Sequence, residues 1–219
     1  MTESFALTPR GPFSLAAAAT FQGTFPGGPG RGDQPGDGPA RLDLAFAADD
    51  DWSTVGVRVT DGAGGLRADV VANPAGLPVA AIRAQVERIL SLDVDASGFA
   101  AVAERDPVVR DLWRLLPGLR PVLFASPYEA AAWAILSHRV RMTQAGTVRR
   151  RLARELGDEV DFGDRRLPAF PRPERLIKLE GGPGLTLGKL ENLRSLGHAA
   201  ADGALDAGLL RGMSAAEAT

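Results

Sequence analysis

The sequence predicts an α+β fold, with a small antiparallel sheet and its helices in residues 1–95 and a helical domain over residues 96–219. Three observations carry that prediction. Arg41-Leu42-Asp43-Leu44-Ala45-Phe46 and Val55-Gly56-Val57-Arg58-Val59 alternate apolar and polar residues at period two, and Leu66 to Val71 does so less cleanly. The turn chemistry of Asp61-Gly62-Ala63-Gly64-Gly65 separates the last two, so the three read as a sheet with one wet face. From Ala96 onward the apolar spacing is helical to the end of the chain.

Ahead of the sheet lies a short apolar segment, Phe13 to Phe21, followed by Gly27 to Pro39, whose glycines and prolines read as a flexible surface loop. After the sheet, Pro78 opens a helix in which Val79, Ile82, Val86 and Ile89 form one apolar stripe. Two short helices come next, Phe99 to Ala103 and Val108 to Leu116, the second begun by Asp106-Pro107 and stopped by Pro117-Gly118. A connector then leads to Ser126-Pro127-Tyr128-Glu129, a strong helix start in which Ser126 caps, Pro127 fits the first position and Glu129 stands where a capping box needs its carboxylate. The following helix places Ala145, Val148, Leu152 and Leu156 on one side and ends at Gly157. Leu176 to Leu179 and Leu187 to about Gly203 complete the series, separated by Gly181-Gly182-Pro183-Gly184.

Composition bounds the function. With 219 residues, 45% apolar and 24% charged, the chain is long enough for a substantial core, and it has no run of the roughly 18 apolar residues that would span a membrane. There is no cysteine, and the start lacks a basic region followed by an apolar one, so the expected location is the cytoplasm. The net charge of −2 excludes a protein that is basic all over. Its distribution is uneven: Asp43, Asp49, Asp50, Asp51, Asp61 and Asp69 crowd the first third, whereas Arg139, Arg141, Arg149, Arg150, Arg151 and Arg154 crowd one later segment. That segment is either an anion-facing surface or a solvated helix face. Just before it, the core-like run Trp133-Ala134-Ile135-Leu136 is followed by His138 and Arg139, in a chain with two histidines. On residue type alone these are either a boundary histidine and an arginine reaching for solvent or a functional helix end. Trp133 and His198 read as structural.

The order and spacing of several phrases resemble the alkylbase DNA glycosylases of the 3-methyladenine DNA glycosylase II type, in the helix-hairpin-helix superfamily. The phrases are Pro12-Phe13-Ser14-Leu15 with Phe21, Arg88-Ile89-Leu90-Ser91-Leu92-Asp93, Gly118-Leu119-Arg120-Pro121, and Ser126 to Ala130. They continue with Trp133 to His138, Phe170-Pro171, and Gly184-Leu185-Thr186 through Lys189 to Asp202-Gly203. The resemblance implies a first domain like half of a TATA-binding protein and a second, helical glycosylase domain. It implies base-excision repair: double-stranded damaged DNA as partner, flipping of an alkylated, 3-methyladenine-type base, and hydrolysis of its N-glycosidic bond. No cofactor or metal ion is implied, no membrane, and a monomer if the protein is complete, associated with the nucleoid through DNA.

The same resemblance assigns roles. Ser137, His138 and Arg139 stand where the family has a glycine, a glutamine and an apolar wedge, which gives Arg139 the wedge position and places His138, with Phe21, at the base pocket. Arg141 and Arg149 become phosphate contacts. The family's catalytic aspartate follows a hairpin phrase, Leu-Pro-Gly-Ile-Gly, that does not occur in these residues, and neither Asp202 nor Asp206 replaces it. No residue is therefore assigned as catalyst, the helical domain is expected to be incomplete at its C-terminus, and the polypeptide is expected to release no free base. A non-catalytic DNA-binding or scaffold module derived from the fold is the alternative.

Overall fold

The structure is a computed structural model that describes residues 3–26, 28, 40–62, 65–214 and 216–217. Most of the loop expected from Gly27 to Pro39 lies outside the described residues. The chain opens with strand β1 (Ser4–Leu7) and helix α1 (Leu15–Thr24), which Ser14 caps by accepting from the Ala17 amide. Strands β2 (Arg41–Ala47), β3 (Thr54–Gly62) and β4 (Gly65–Ala72) coincide with the three alternating segments. They form one antiparallel sheet in the order β1-β4-β3-β2. The edge strand β1 is too short to show a period in the sequence and pairs Ser4 to Leu7 with Asp69 to Leu66.

Period two divides the sheet by face. Leu42, Leu44 and Phe46, together with Val55, Val57, Val59, Leu66, Ala68 and Val70, are buried against α1 and helix α2 (Val79–Ile89) in one apolar cluster. The opposite face carries Arg41, Asp43 and Ala45 beside their register partners Thr60, Arg58 and Gly56.

Four helices follow: α3 (Phe99–Arg105), α4 (Pro107–Leu115), α5 (Pro127–Ser137) and α6 (Met142–Leu156). Helical periodicity then gives way to a hairpin, β5 (Glu159–Asp161) and β6 (Arg166–Pro168), which corrects the expectation of helix from Ala96 to the end. Three-residue strands are too short to alternate recognisably. The hairpin also corrects the single wet face, because Val160, Phe162 and Leu167 pack on Ala45 and Ala72. Gly56 makes that possible: a Cβ there would collide with the Val160 side chain. Asp43, fully buried at its side chain, accepts from Arg58 (2.7 and 3.0 Å) and from Arg165 of the hairpin turn (2.9 Å), while Asp164 pairs with Arg41 and Arg58.

Helices α7 (Pro173–Ile177), α8 (Leu187–Ala201) and α9 (Ala207–Gly212) complete the chain. Tyr128, Ala132, Trp133 and Leu136 of α5, Leu152 of α6 and Leu190, Leu193 and Leu196 of α8 form the second apolar cluster. No helix among the described residues is long and apolar enough to cross a membrane.

Candidate nucleic-acid interface

Helix α5 owes its start to Ser126, whose hydroxyl accepts from the Glu129 amide at 3.2 Å, and to Pro127 at the first position. The expected reciprocal bond from the Glu129 side chain gives way to an ion pair: Glu129 is 4% exposed, and its carboxylate meets Arg149 of α6 at 2.9 Å. Burial pushes the Glu129 carboxyl up from its ordinary range, against the pull of the Arg149 charge. Arg149 also lies over the Phe170 ring, 5.4 Å from its centroid. A buried carboxylate thus claims the arginine that the sequence assigned to phosphate. Arg150 donates to the Pro26 carbonyl and Arg151 to that of Pro183, so the arginine cluster divides. Arg139, Arg141 and Arg154 remain exposed.

The buried face of α5 runs from Tyr128 to Leu136, and the helix stops one residue later. The Ser137 hydroxyl folds back onto the Trp133 carbonyl (2.8 Å), and the His138 amide closes the last turn on Ala134 (3.1 Å). The chain then reverses in a tight turn closed by the Val140 amide on the Ser137 carbonyl at 3.3 Å. His138 has φ −58° and ψ 120°, and Arg139 has φ +55°, the pattern of a type II turn. The position of Arg139 in such a turn favours glycine or asparagine, because a Cβ there crowds the neighbouring carbonyl.

Three more features surround this turn. His138, Arg139, Val140, Arg141 and Met142 are all exposed, Val140 by 40% and Met142 by 48%. Helix α6 starts directly after it, with the Gln144 side chain accepting from the Arg141 amide (3.4 Å), so the positive end of a 15-residue helix lies at the same surface. From α8, Lys189 reaches the Leu136 carbonyl (2.6 Å), and Leu187, two residues earlier, is 80% exposed. Neither Arg139 nor Arg141 forms an ion pair with a described residue. Val140, Met142 and Leu187 carry no signal in the sequence beyond an apolar side chain beside a helix start.

Phe21 lies elsewhere. Its ring stacks on Phe25 at 6.0 Å, and Phe25 packs in turn on Phe124 and Trp133. Phe21, Phe25 and Phe124 line a cavity of about 80 Å³ together with Asp43, Glu129 and Arg149. That volume is below the roughly 150 Å³ that holds one benzene, so a purine does not fit it as it stands. The cavity takes Glu129 from the first turn of α5, about 14 Å of helix away from His138, and does not include His138.

The surface is thus an apolar, cationic turn flanked by a helix start. No family model matches the chain. It is 26% identical over 88 residues to a DNA-3-methyladenine glycosylase of Bacillus subtilis (strain 168), a match that covers 40% of this chain and 29% of that protein. The chain therefore spans about three tenths of the curated relative. A solved 3-methyladenine DNA-glycosylase from Archaeoglobus fulgidus matches 98% of this chain and 71% of its own, at TM-score 0.66 and 17% identity. The 8-oxoguanine glycosylase/lyase of Clostridium acetobutylicum, in its apo-form, matches 100% of this chain and 72% of its own at TM-score 0.61 and 15% identity. The same enzyme solved with dsDNA containing cytosine opposite to 8-oxoG matches equally well. The chain thus shares the fold of these solved DNA glycosylases over nearly its whole length, and one segment of it is similar in sequence to a DNA-3-methyladenine glycosylase.

Proposed function

We propose that the chain serves base-excision repair as the DNA-engaging part of a glycosylase for alkylated, 3-methyladenine-type bases, with the Ser137–Val140 turn as its wedge. Arg139 enters the stack of double-stranded damaged DNA in place of the flipped nucleotide, and its guanidinium plane stacks on the neighbouring bases. His138 stands at the mouth of the base pocket as a hydrogen-bond donor, and the aromatic cavity of Phe21, toward the other end of α5, must open toward it to admit a base. Arg141 and the first amides of α6 take phosphates on either side of the gap. Val140, Met142 and Leu187 supply the apolar surface that a widened base step covers. In the reaction served, water adds to the sugar carbon as the N-glycosidic bond breaks. An alkylated purine is already cationic before the bond breaks, so it takes the bonding pair and leaves as a neutral base with little help from a general acid, while the attacking water gives up its proton to solvent.

The observation that carries this reading is the left-handed conformation of Arg139. A large cation in a strained glycine position, on an exposed turn and with no ion-pair partner among the described residues, has no packing role to explain it. The test is the salt dependence of binding to a short duplex. Each phosphate contact contributes roughly 0.9 to the slope of log K against log salt, so replacing Arg139 and Arg141 together by alanine should lower that slope by up to about two and weaken binding. An unchanged slope and affinity would refute the surface.

A further inference from the structure

The wedge turn stands at the end of α5, and the Lys189 side chain reaches that end from another helix. Lys189, in the first turn of α8, donates from Nζ to the Leu136 carbonyl at 2.6 Å, across 53 residues of sequence. Carbonyls in the last turn of a helix have no amide partner, and the negative end of the helix dipole attracts a cation there. Lys189 is half-buried, is one of two lysines in the chain and makes no ion pair with a described carboxylate. Its backbone is fixed as well, because the Lys189 amide donates to the Thr186 hydroxyl that caps α8. The carbonyl it holds belongs to the residue immediately before Ser137, where the turn begins.

We propose that Lys189 is a positioning residue for the wedge. By joining the last turn of α5 to the first turn of α8, it sets the aim of Arg139 relative to Leu187 and does not itself take a phosphate. This rests on the reading of the turn as the part that enters DNA. The rival role is a direct one, since an ammonium carries three donors and the Leu136 carbonyl uses one.

Lys189→Met keeps the aliphatic stem and removes the donors, and Lys189→Arg restores a donor. In DNA-free protein, the His138 and Val140 amides should exchange hydrogen about tenfold faster in the Met variant, the weight of one charge-assisted hydrogen bond, and recover in the Arg variant. Amides of the central strand β3 should not respond, which separates a local effect from a failure to fold. Unchanged exchange at His138 and Val140 overturns the proposal. With duplex DNA, the Met variant should bind more weakly while the slope of log K against log salt stays as in the wild type. A slope lower by about one makes Lys189 a phosphate ligand and overturns the positioning role. Exchange that responds as expected in a protein that does not bind DNA keeps the positioning role and removes the DNA reading.

Discussion

Arg139 gathers the functional argument into one residue. A left-handed conformation costs a residue with a Cβ roughly 1–2 kcal/mol, and glycine would relieve it at an entropy cost of about 0.5–1 kcal/mol in the unfolded chain. Arg139→Gly should therefore be more stable than the wild type by about 0.5 kcal/mol, and more stable than Arg139→Ala by a similar margin, since alanine keeps the strain. Calorimetric melting checks this, and a glycine variant less stable than the alanine variant would contradict it. On the proposed reading, function at this position opposes stability. The sequence displayed His138 and Arg139 as a polar pair after an apolar run, which sufficed to single them out. The φ of +55° was not legible there, because it follows from the Ser137–Val140 closure and not from residue type.

Among the elements, the β5–β6 hairpin is held by partners distant in sequence. Its docking rests on Asp43, whose carboxylate is enclosed by Arg58 and Arg165. Removing a buried carboxylate that accepts from two guanidinium groups costs about 3–5 kcal/mol. Asp43→Ala should lower the free energy of urea unfolding by about that amount, and a loss under about 1 kcal/mol would show that the network contributes little. Elements with local signals were legible. Ser126-Pro127 starts α5, Asp106-Pro107 starts α4, and period two marks β2, β3 and β4. What stayed hidden depends on contacts far apart in sequence. Asp43 read as one of a crowd of surface acids, yet it is 2% exposed and its partner Arg165 lies 122 residues away. Arg149 read as a surface cation, but a carboxylate one helix earlier holds it in the interior. Lys189 gave no signal for its contact with Leu136.

For the molecule as a whole, a net charge of −2 and the proposed DNA-facing surface are compatible because charge is sorted in space. Asp43 and Asp49 are neutralised within the fold by Arg58 and Arg88, and three of the clustered arginines turn inward. Arg139 and Arg141 are left facing solvent at the α5–α6 turn, with apolar side chains beside them. The sheet and the helical core hold α5 from both sides, through Tyr128 on Trp52 and Phe170 and through Leu136 in the cluster with α8. The central claim, that this turn enters the DNA stack, is tested most directly by the fluorescence of 2-aminopurine in a duplex, which rises when the base is unstacked. At saturating protein, the wild-type chain should raise the fluorescence and Arg139→Gly should not, although it still binds. An equal rise with the glycine variant, or no rise with the wild type, would contradict the account.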